Sequence, residues 1–342
     1  MYVPRPGSTI TVNVNFDSVY AMKLSVLALD NVFDTGLTAV LNAFNTANEL
    51  AAQQDPDARP FDLRVVGMKR QVRTALGMRM SVEAPSAADG SDWVIVPGLS
   101  TKQPEQLVLA LGRRDVVDAM ARLRAWHAGG SRIAASCIGT FVLAESRLLQ
   151  DRDATTTWWL SPLFRQRYPG VRLDESRMLV PSGDFVTAGA AMGHLDLALW
   201  LIRQSSPELA ALVARYMLVD RRPSQAPYMI PEHLARADPL VERFERWARS
   251  RLAQGFSLES AADALATSKR TLQRRIESVL GKSPLSYFQD LRVERALHLI
   301  RTTHLDIEAI AAEVGYADGV TLRTLLRRRL GRGVRELRGD VR

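Results

Sequence analysis

Residues 257–331 contain one pattern written twice, and no other feature constrains the fold of this chain as tightly. The first copy, SLESAADALATSKRTLQRRIESVLG, runs from Ser257 to Gly281, and the second, LDIEAIAAEVGYADGVTLRTLLRRRLG, from Leu305 to Gly331. Each predicts a short helix, a tight turn and a second, more basic helix. In the first copy Ser268 supplies an N-cap, Leu272, Ile276, Val279 and Leu280 repeat at helical spacing, and Gly281 supplies the stop. In the second, Asp306 caps a helix whose Ile307, Ile310, Ala311 and Val314 face inward, and Gly315 supplies the turn. Asp318 then caps the last helix over Leu322, Leu325, Leu326 and Leu330. Between the copies, Ser283-Pro284 is a cap followed by proline at the first helical position. It opens a helix to about Arg301, with Leu285, Phe288, Leu291 and Leu299 expected on its apolar side.

The outer faces carry the chemistry. Lys269, Arg270, Gln273, Arg274 and Glu277 lie off the apolar stripe of the first basic helix, and Arg323, Thr324, Arg327 and Arg328 off that of the second. A short helix, a turn and a basic second helix is the geometry that seats the second helix in the major groove of DNA. Two such units reach two major-groove faces about one turn, roughly 34 Å, apart.

With paired units and a connecting helix, residues 241–338 resemble the DNA-binding domain of the AraC/XylS family of transcription regulators. The resemblance implies base contacts from Arg270, Gln273 and Arg274, and from Gly319, Val320, Arg323 and Thr324. Arginine and glutamine pair bidentately with guanine and adenine edges, so the first unit is well equipped to read sequence. Two departures stand out: Gly319-Val320 falls where many relatives carry polar side chains, and the ending GRGVRELR lacks the usual proline and aromatic residue. The second helix is therefore expected to give phosphate attraction, through Arg327, Arg328 and Arg329, more than base discrimination. The plain alternative for those arginines is a solvated helix face.

Charge agrees with this division. The 342 residues carry 45 Lys+Arg against 37 Asp+Glu, a net +8, and the stretch from Val241 onward holds 20 basic and 13 acidic residues. Almost all of the excess thus sits in the last third, as expected if that part alone meets a polyanion. The single cysteine excludes an internal disulfide framework and fits a reducing, cytoplasmic setting. No apolar run of eighteen residues suggests a membrane span, and residues 1–21 read as an N-terminal arm without signal-peptide character.

From residue 22 to 219 the pattern is alternating strand and helix. Strands are expected at Lys23–Leu29, Phe61–Met68, Asp92–Gly98 and Arg132–Cys137, with helices at Gly36–Leu50 and Arg114–Ala128. After Cys137 come helices at Gly139–Arg147 and Trp158–Tyr168, and strands at Val171–Asp174, Met178–Val180 and Phe185–Thr187. Helices at Ala190–Arg203 and residues 207–219 complete the domain. Buried apolar strands separated by helices predict an α/β fold, a flavodoxin-like sandwich on a mostly parallel sheet, ahead of an all-α domain with two helix-turn-helix units. Residues 220–239, with four prolines, are the expected linker, and residues 240–342 the second domain.

Cys137 lies where a buried strand turns sharply into a helix, in ASCIGT. Such an elbow at the carboxyl end of a strand holds a nucleophile beside helix N–H groups. This segment, with the strand order, resembles the PfpI-like, class I glutamine amidotransferase-like superfamily over about residues 22–204, and the order of the two domains resembles the GlxA-type regulators. Enzymes of that superfamily need a histidine beside the thiol. Where many carry it, this chain has Ile138 or Thr157, and His127 and His194 fall outside the motif positions. No catalytic residue, metal or cofactor is therefore expected. Asp34, Cys137, Ile138, Thr157, Trp158 and His194 are instead the expected lining of an effector pocket. Asp30 and Asp34 have the competing duty of capping the first helix.

The reading that follows is a sequence-specific transcription regulator governed by a small-molecule effector or by the dimer state of its first domain. Its implied partners are double-stranded DNA, RNA polymerase and a second copy of itself, with no membrane. Two alternatives stay open at this point: a cysteine-dependent amidase or hydrolase fused to a DNA-binding domain, and a constitutive DNA binder whose first domain only dimerises.

Overall fold

The computed structural model describes residues 21–220, 222–330 and 333–339, so the expected N-terminal arm, all but its last residue, lies outside the described part. In chain order the elements are β1 (Met22–Leu27), α1 (Asp34–Gln54), β2 (Phe61–Val66), β3 (Gln71–Arg73), β4 (Arg79–Ser81), β5 (Trp93–Val96), α2 (Pro104–Leu111), α3 (Arg114–Ala128), β6 (Arg132–Ser136), α4 (Gly139–Glu145), β7 (Asp153–Ala154), α5 (Ser161–Arg167), β8 (Arg172–Leu173), β9 (Leu179–Ser182), β10 (Phe185–Ala188), α6 (Gly193–Ser205) and α7 (Pro207–Tyr216). They continue with α8 (Pro231–Ala235), α9 (Pro239–Arg249), α10 (Leu258–Ala264), α11 (Lys269–Leu280), α12 (Pro284–Thr302), α13 (Ile307–Glu313), α14 (Gly319–Leu330) and α15 (Val334–Gly339). The chain divides into two compact units. One comprises residues 21–158 with Gly170–Ala226, and the other Trp159–Pro169 with residues 227–339.

The first unit is built on a six-stranded sheet in the order β2-β1-β5-β6-β10-β9. All neighbours are parallel except β9, which runs antiparallel to β10. Parallel strands need helical crossovers, and a sheet covered by helices must be apolar throughout, which is why WVIV of β5 is buried at every position. Leu24 and Val26 of β1 and Ile95 of β5 share a core with Val40, Phe44 and Ala47 of α1 and with Leu195 and Ile202 of α6. The parallel strands follow the flavodoxin-like order, whose reversal between β1 and β5 opens a crevice at their carboxyl ends.

Several features were not expected. A hairpin, β3–β4, pairs Val72 with Met80, and α2 stands between β5 and α3. The expected helix at Trp158–Tyr168 is a 3₁₀ turn, Trp158–Leu160, followed by α5. That segment groups with the second unit, where α5 lies against α11. The proline-rich stretch read as linker holds a short helix, α8, with Leu234 and Ala235 buried.

In the second unit the caps fall where the residue types place them. Ser257, Ser268, Ser283 and Asp306 each accept an amide hydrogen bond at the start of α10, α11, α12 and α13. The Asp318 carboxylate accepts from the Thr321 amide at 2.6 Å, opening α14. Gly281 ends α11 in the left-handed conformation at φ 66°, and Gly315 makes the second turn at φ 78°. Leu322 and Leu326 of α14 pack with Ile310, Ala311 and Val314 of α13 and with Ala296 and Ile300 of α12. Leu285 departs from its expected inward place: it is exposed, because α12 buries Tyr287, Phe288 and Leu291 instead.

A buried cation ties the two helix-turn-helix units to the connecting helix. Arg292 of α12 donates from Nε and Nη2 to the Leu252 carbonyl at 3.0 and 2.8 Å, between the rings of Phe288 and Tyr316. A side chain at position 315 would overlap both Arg292 and that carbonyl, so glycine there serves the packing as well as the positive φ.

Candidate nucleic-acid interface and the cysteine elbow

The outer faces of α11 and α14 lie in solvent. Lys269, Arg270, Gln273 and Arg274 are exposed on α11, as are Val320, Arg323, Thr324, Arg327 and Arg328 on α14. The buried stripe of each helix fixes this: with Leu272, Ile276 and Leu280 held inward, positions 269, 270, 273 and 274 can only point outward. Gly319, also expected at the interface, is buried. Some of the cations are engaged: Lys269 pairs with Glu259 of α10 at 3.0 Å, and Arg323 comes within 4.0 Å of Glu308. Arg329 is paired with Asp290 of α12, so it belongs to the internal frame rather than to the phosphate-facing set expected from the sequence. Among the described residues, Arg270, Arg274, Arg327 and Arg328 make no ion pair and stay available to a polyanion.

At the end of β6 Cys137 has φ 56°, a left-handed backbone that a non-glycine residue adopts only under constraint. The constraint is visible. Its amide donates to the carbonyls of Ala188 and Gly189 at 2.9 and 3.1 Å, and its carbonyl accepts from the Thr156 hydroxyl at 2.7 Å. A Cβ on Gly139, the first residue of α4, would overlap the Val96 carbonyl oxygen, so the sharp turn requires glycine there.

This is the geometry of a nucleophile elbow, but the thiol is sealed. Cys137 is 4% exposed, and burial pushes its pKa up, against the partial help of the Ala191 and Ile138 amides and the Thr157 hydroxyl. Ile138, Thr157 and His194 are buried with it, and Trp158 is half-buried. The Ser136 and Thr140 hydroxyls, on either side of the cysteine in sequence, are buried without a hydrogen-bond partner among the described residues.

His194 is a structural bolt. Its Nε2 accepts the Gly98 amide hydrogen at 2.9 Å, so Nδ1, 2.5 Å from the Ala191 carbonyl oxygen, carries the ring proton and donates it there. Fully buried, the ring is held neutral, its pKa pushed down to about 4 by desolvation, with the Ala191 bond opposing. A Cβ on Gly36 would sit 2.6 Å from the ring, so α1 presents glycine to receive it. With both nitrogens committed, His194 has no lone pair to offer the thiol.

The two aspartates do not cap α1. Asp34 is its first residue and accepts the Leu76 amide at 3.0 Å, the cap position falls on Phe33, and the second Asp34 carboxylate oxygen is buried without a partner among the described residues. Asp30 pairs with Lys69 at 2.6 Å and accepts the Arg73 amide at 2.9 Å. One participant was missed by the sequence reading. Gln225, from the expected linker, is buried, donates to the Thr156 carbonyl at 2.8 Å and accepts the Ala190 amide at 3.1 Å. It reaches the elbow through Thr156, and a glutamine in a proline-rich stretch gives no local signal of such a role.

Comparison with known proteins agrees with this picture. Residues 22–204 match the DJ-1/PfpI family, over more than half of the chain. The chain belongs to the DJ-1/PfpI family. Behind that domain, residues 261–340 match a helix-turn-helix domain. The HTH-type transcriptional regulator GbdR of Pseudomonas aeruginosa is 25% identical over 298 residues, covering 86% of this chain and 77% of the relative. The HTH-type transcriptional activator RhaS of Escherichia fergusonii is 37% identical over 101 residues, 30% of this chain and 36% of the relative. Among solved structures, a THiJ/PfpI family protein from Pseudomonas syringae superposes with a TM-score of 0.51 at 16% identity, over 78% of this chain and 97% of the other, a likeness of fold. This DJ-1/PfpI family member is thus a DNA-binding transcriptional regulator, its PfpI-like first domain followed by a helix-turn-helix domain.

Proposed function

We propose that the chain is a sequence-specific regulator in which a non-catalytic first unit senses a small molecule and adjusts how the two reader helices, α11 and α14, engage promoter DNA. The observation that carries this reading is a contrast in exposure. Arg270, Gln273 and Arg274 stand in solvent on a helix whose other face is packed, while the only thiol is buried and His194 has both ring nitrogens bonded to main-chain atoms. A cysteine nucleophile needs its thiolate and a base. Here burial raises the thiol pKa and both ring nitrogens of His194 are bonded, which argues against the amidase alternative.

The effector site is assigned to the elbow: Asp34, Cys137, Ile138, Thr157 and Trp158, with His194 fixing the wall behind them. The Thr156–Gln225 bonds give this site a route to the stretch leading into the second unit. A ligand acts only through a difference in affinity between two arrangements, so the effector must bind one state of this network more tightly. A homodimer, contact with RNA polymerase and action as an activator in the cytoplasm complete the proposal; paired readers in two copies would raise affinity through local concentration.

The test is binding of the full chain to genomic promoter fragments against scrambled competitor at physiological ionic strength, repeated across a panel of metabolites. Preference for particular fragments that shifts with one metabolite, and that survives in Cys137→Ala with only the metabolite's midpoint altered, is the expected result. Amide hydrolysis that disappears in Cys137→Ala would replace this reading with the enzyme. Equal binding to promoter and scrambled DNA would remove it altogether.

A further inference from the structure

The two helix-turn-helix units superimpose as a sequence repeat, and their reading faces then differ at matched positions. Caps Ser268 and Asp318 align, as do Lys269 with Gly319, Arg270 with Val320, Gln273 with Arg323 and Arg274 with Thr324. Where α11 shows the pair Arg270 and Arg274, α14 shows Val320 and Thr324. Residues four apart stack one above the other on a helix, so each pair forms a single spot.

The spot on α14 is apolar. Val320 is 63% exposed, an unusual place for a branched aliphatic side chain on an otherwise basic surface. The Thr324 hydroxyl donates back to the Val320 carbonyl at 3.0 Å, which consumes its only proton donor.

A carboxylate stands beside this spot. Glu308 of α13 accepts the Gly319 amide hydrogen at 2.7 Å, at the first residue of α14. Any side chain at 319 would meet its other oxygen at 2.5 Å, and that oxygen lies 4.0 Å from Arg323. A Cβ at 319 would also meet Ile307 Cγ2 at 2.9 Å, and as a glycine the position brings no reading side chain of its own. Glu259 holds the matching position in the first unit but is spent on Lys269. The amino end of a helix attracts phosphate, and a fixed carboxylate there repels it. The start of α14 is therefore unsuited to the DNA backbone and suited to the groove floor. The apolar group displayed on the major-groove floor is the C5 methyl of thymine.

We propose that α14 reads a thymine methyl group through Val320 and Thr324, with Glu308 excluding phosphate from the helix start and positioning Arg323 beside it. The inference rests on the chain being a sequence-specific DNA binder. It replaces the expectation that the second reader serves mainly as a phosphate anchor.

The test uses the full chain. A bound sequence is first selected from a random duplex library, and each thymine in it is then replaced singly by deoxyuridine, which differs only in lacking the methyl. The native chain should lose about fourfold in affinity at one thymine or two adjacent ones, the cost of exposing roughly one methyl group. In Val320→Ala, whose substitution is at an exposed site, replacement at that same position should cost less than twofold, while sensitivity elsewhere stays as it was. Glu308→Gln should bind random duplex more tightly and with a salt slope steeper by about one phosphate. A deoxyuridine scan flat at every thymine, or a sensitive thymine that stays equally sensitive in Val320→Ala, would overturn the proposal. A library from which no sequence is enriched would instead remove the reading of the chain as sequence-specific, and this inference with it.

Discussion

The cysteine elbow and the reader helices are both built from polar residues at helix starts, yet they treat those residues in opposite ways. At the elbow the Cys137 amide and carbonyl are both hydrogen-bonded, the histidine gives up both nitrogens to main-chain atoms, and the thiol is withdrawn from water. On α11 the apolar stripe is packed while Arg270 and Arg274 have no ion-pair partner among the described residues. A buried polar group without a partner is costly, so a fold satisfies it internally or uses it. An exposed cation costs little and is kept ready for an external anion. The contrast supports the proposed division, in which the readers carry the direct chemistry and the elbow governs them.

The largest expected effect breaks the elbow itself. Gly139→Val places a branched side chain where the Val96 carbonyl oxygen already lies, on backbone that cannot retreat without opening the β5–β6 pairing. A loss of about 4 kcal/mol or more is expected, in the range that only core disruption reaches. Urea unfolding followed by tryptophan fluorescence would measure it. A first unit that unfolds at the native midpoint in this variant would show that the turn is not held as described.

Acid comes next. His194 is neutral in the folded state, with a pKa of about 4 against 6.5 for the free side chain. Between those values the unfolded chain binds a proton that the folded chain refuses. The stabilisation is therefore complete above about pH 7 and is lost as pH falls from 6.5 towards 4, by about 3 kcal/mol in all. His194→Gln cannot titrate, and the stability difference between native and variant should shrink over that interval. A difference independent of pH would mean that the ring is already charged or open to water.

Much of the second unit was legible because its signals are local. Ser268, Asp306 and Asp318 bond to amides three residues away, and Gly281 needs only its own φ. The cysteine elbow was legible for the same reason: a buried strand, a cysteine and Gly139 lie within a few positions. The duties of His194 and Gln225 were not, since their partners are 96 and 69 residues distant in Gly98 and Thr156. α2 does carry local signs, Pro104 in its first turn and Gly112 at its end. Glu308 was passed over because a carboxylate on the first helix of the motif has no meaning until the fold sets it on the amino end of α14.

The readers give intermediate effects that sharpen the comparison. Arg274→Ala should cost about 1–3 kcal/mol on the selected sequence and relax preference at one base pair, whereas Arg328→Ala should weaken all sequences alike and reduce the salt slope by about one. Titrations at several salt concentrations on selected and random duplexes separate the two. If both variants lost affinity equally on both duplexes, the division between base-reading and phosphate-facing positions would fail.

Cys137→Ala carries the smallest expected effect and bears most directly on what the elbow is for. Alanine keeps a Cβ at φ 56°, so the backbone strain of the native residue is neither added to nor relieved. Only the buried sulfur is lost, and stability should fall by about 1 kcal/mol, the scale of one small group removed from a packed site. Fragment preference measured by fluorescence anisotropy should change by less than twofold in the absence of effector. The effector's midpoint should shift, because the sulfur forms part of the wall assigned to it. A metabolite response identical in every respect to that of the native chain would move the sensing site away from the elbow, and the search would then turn to the partnerless carboxylate oxygen of Asp34.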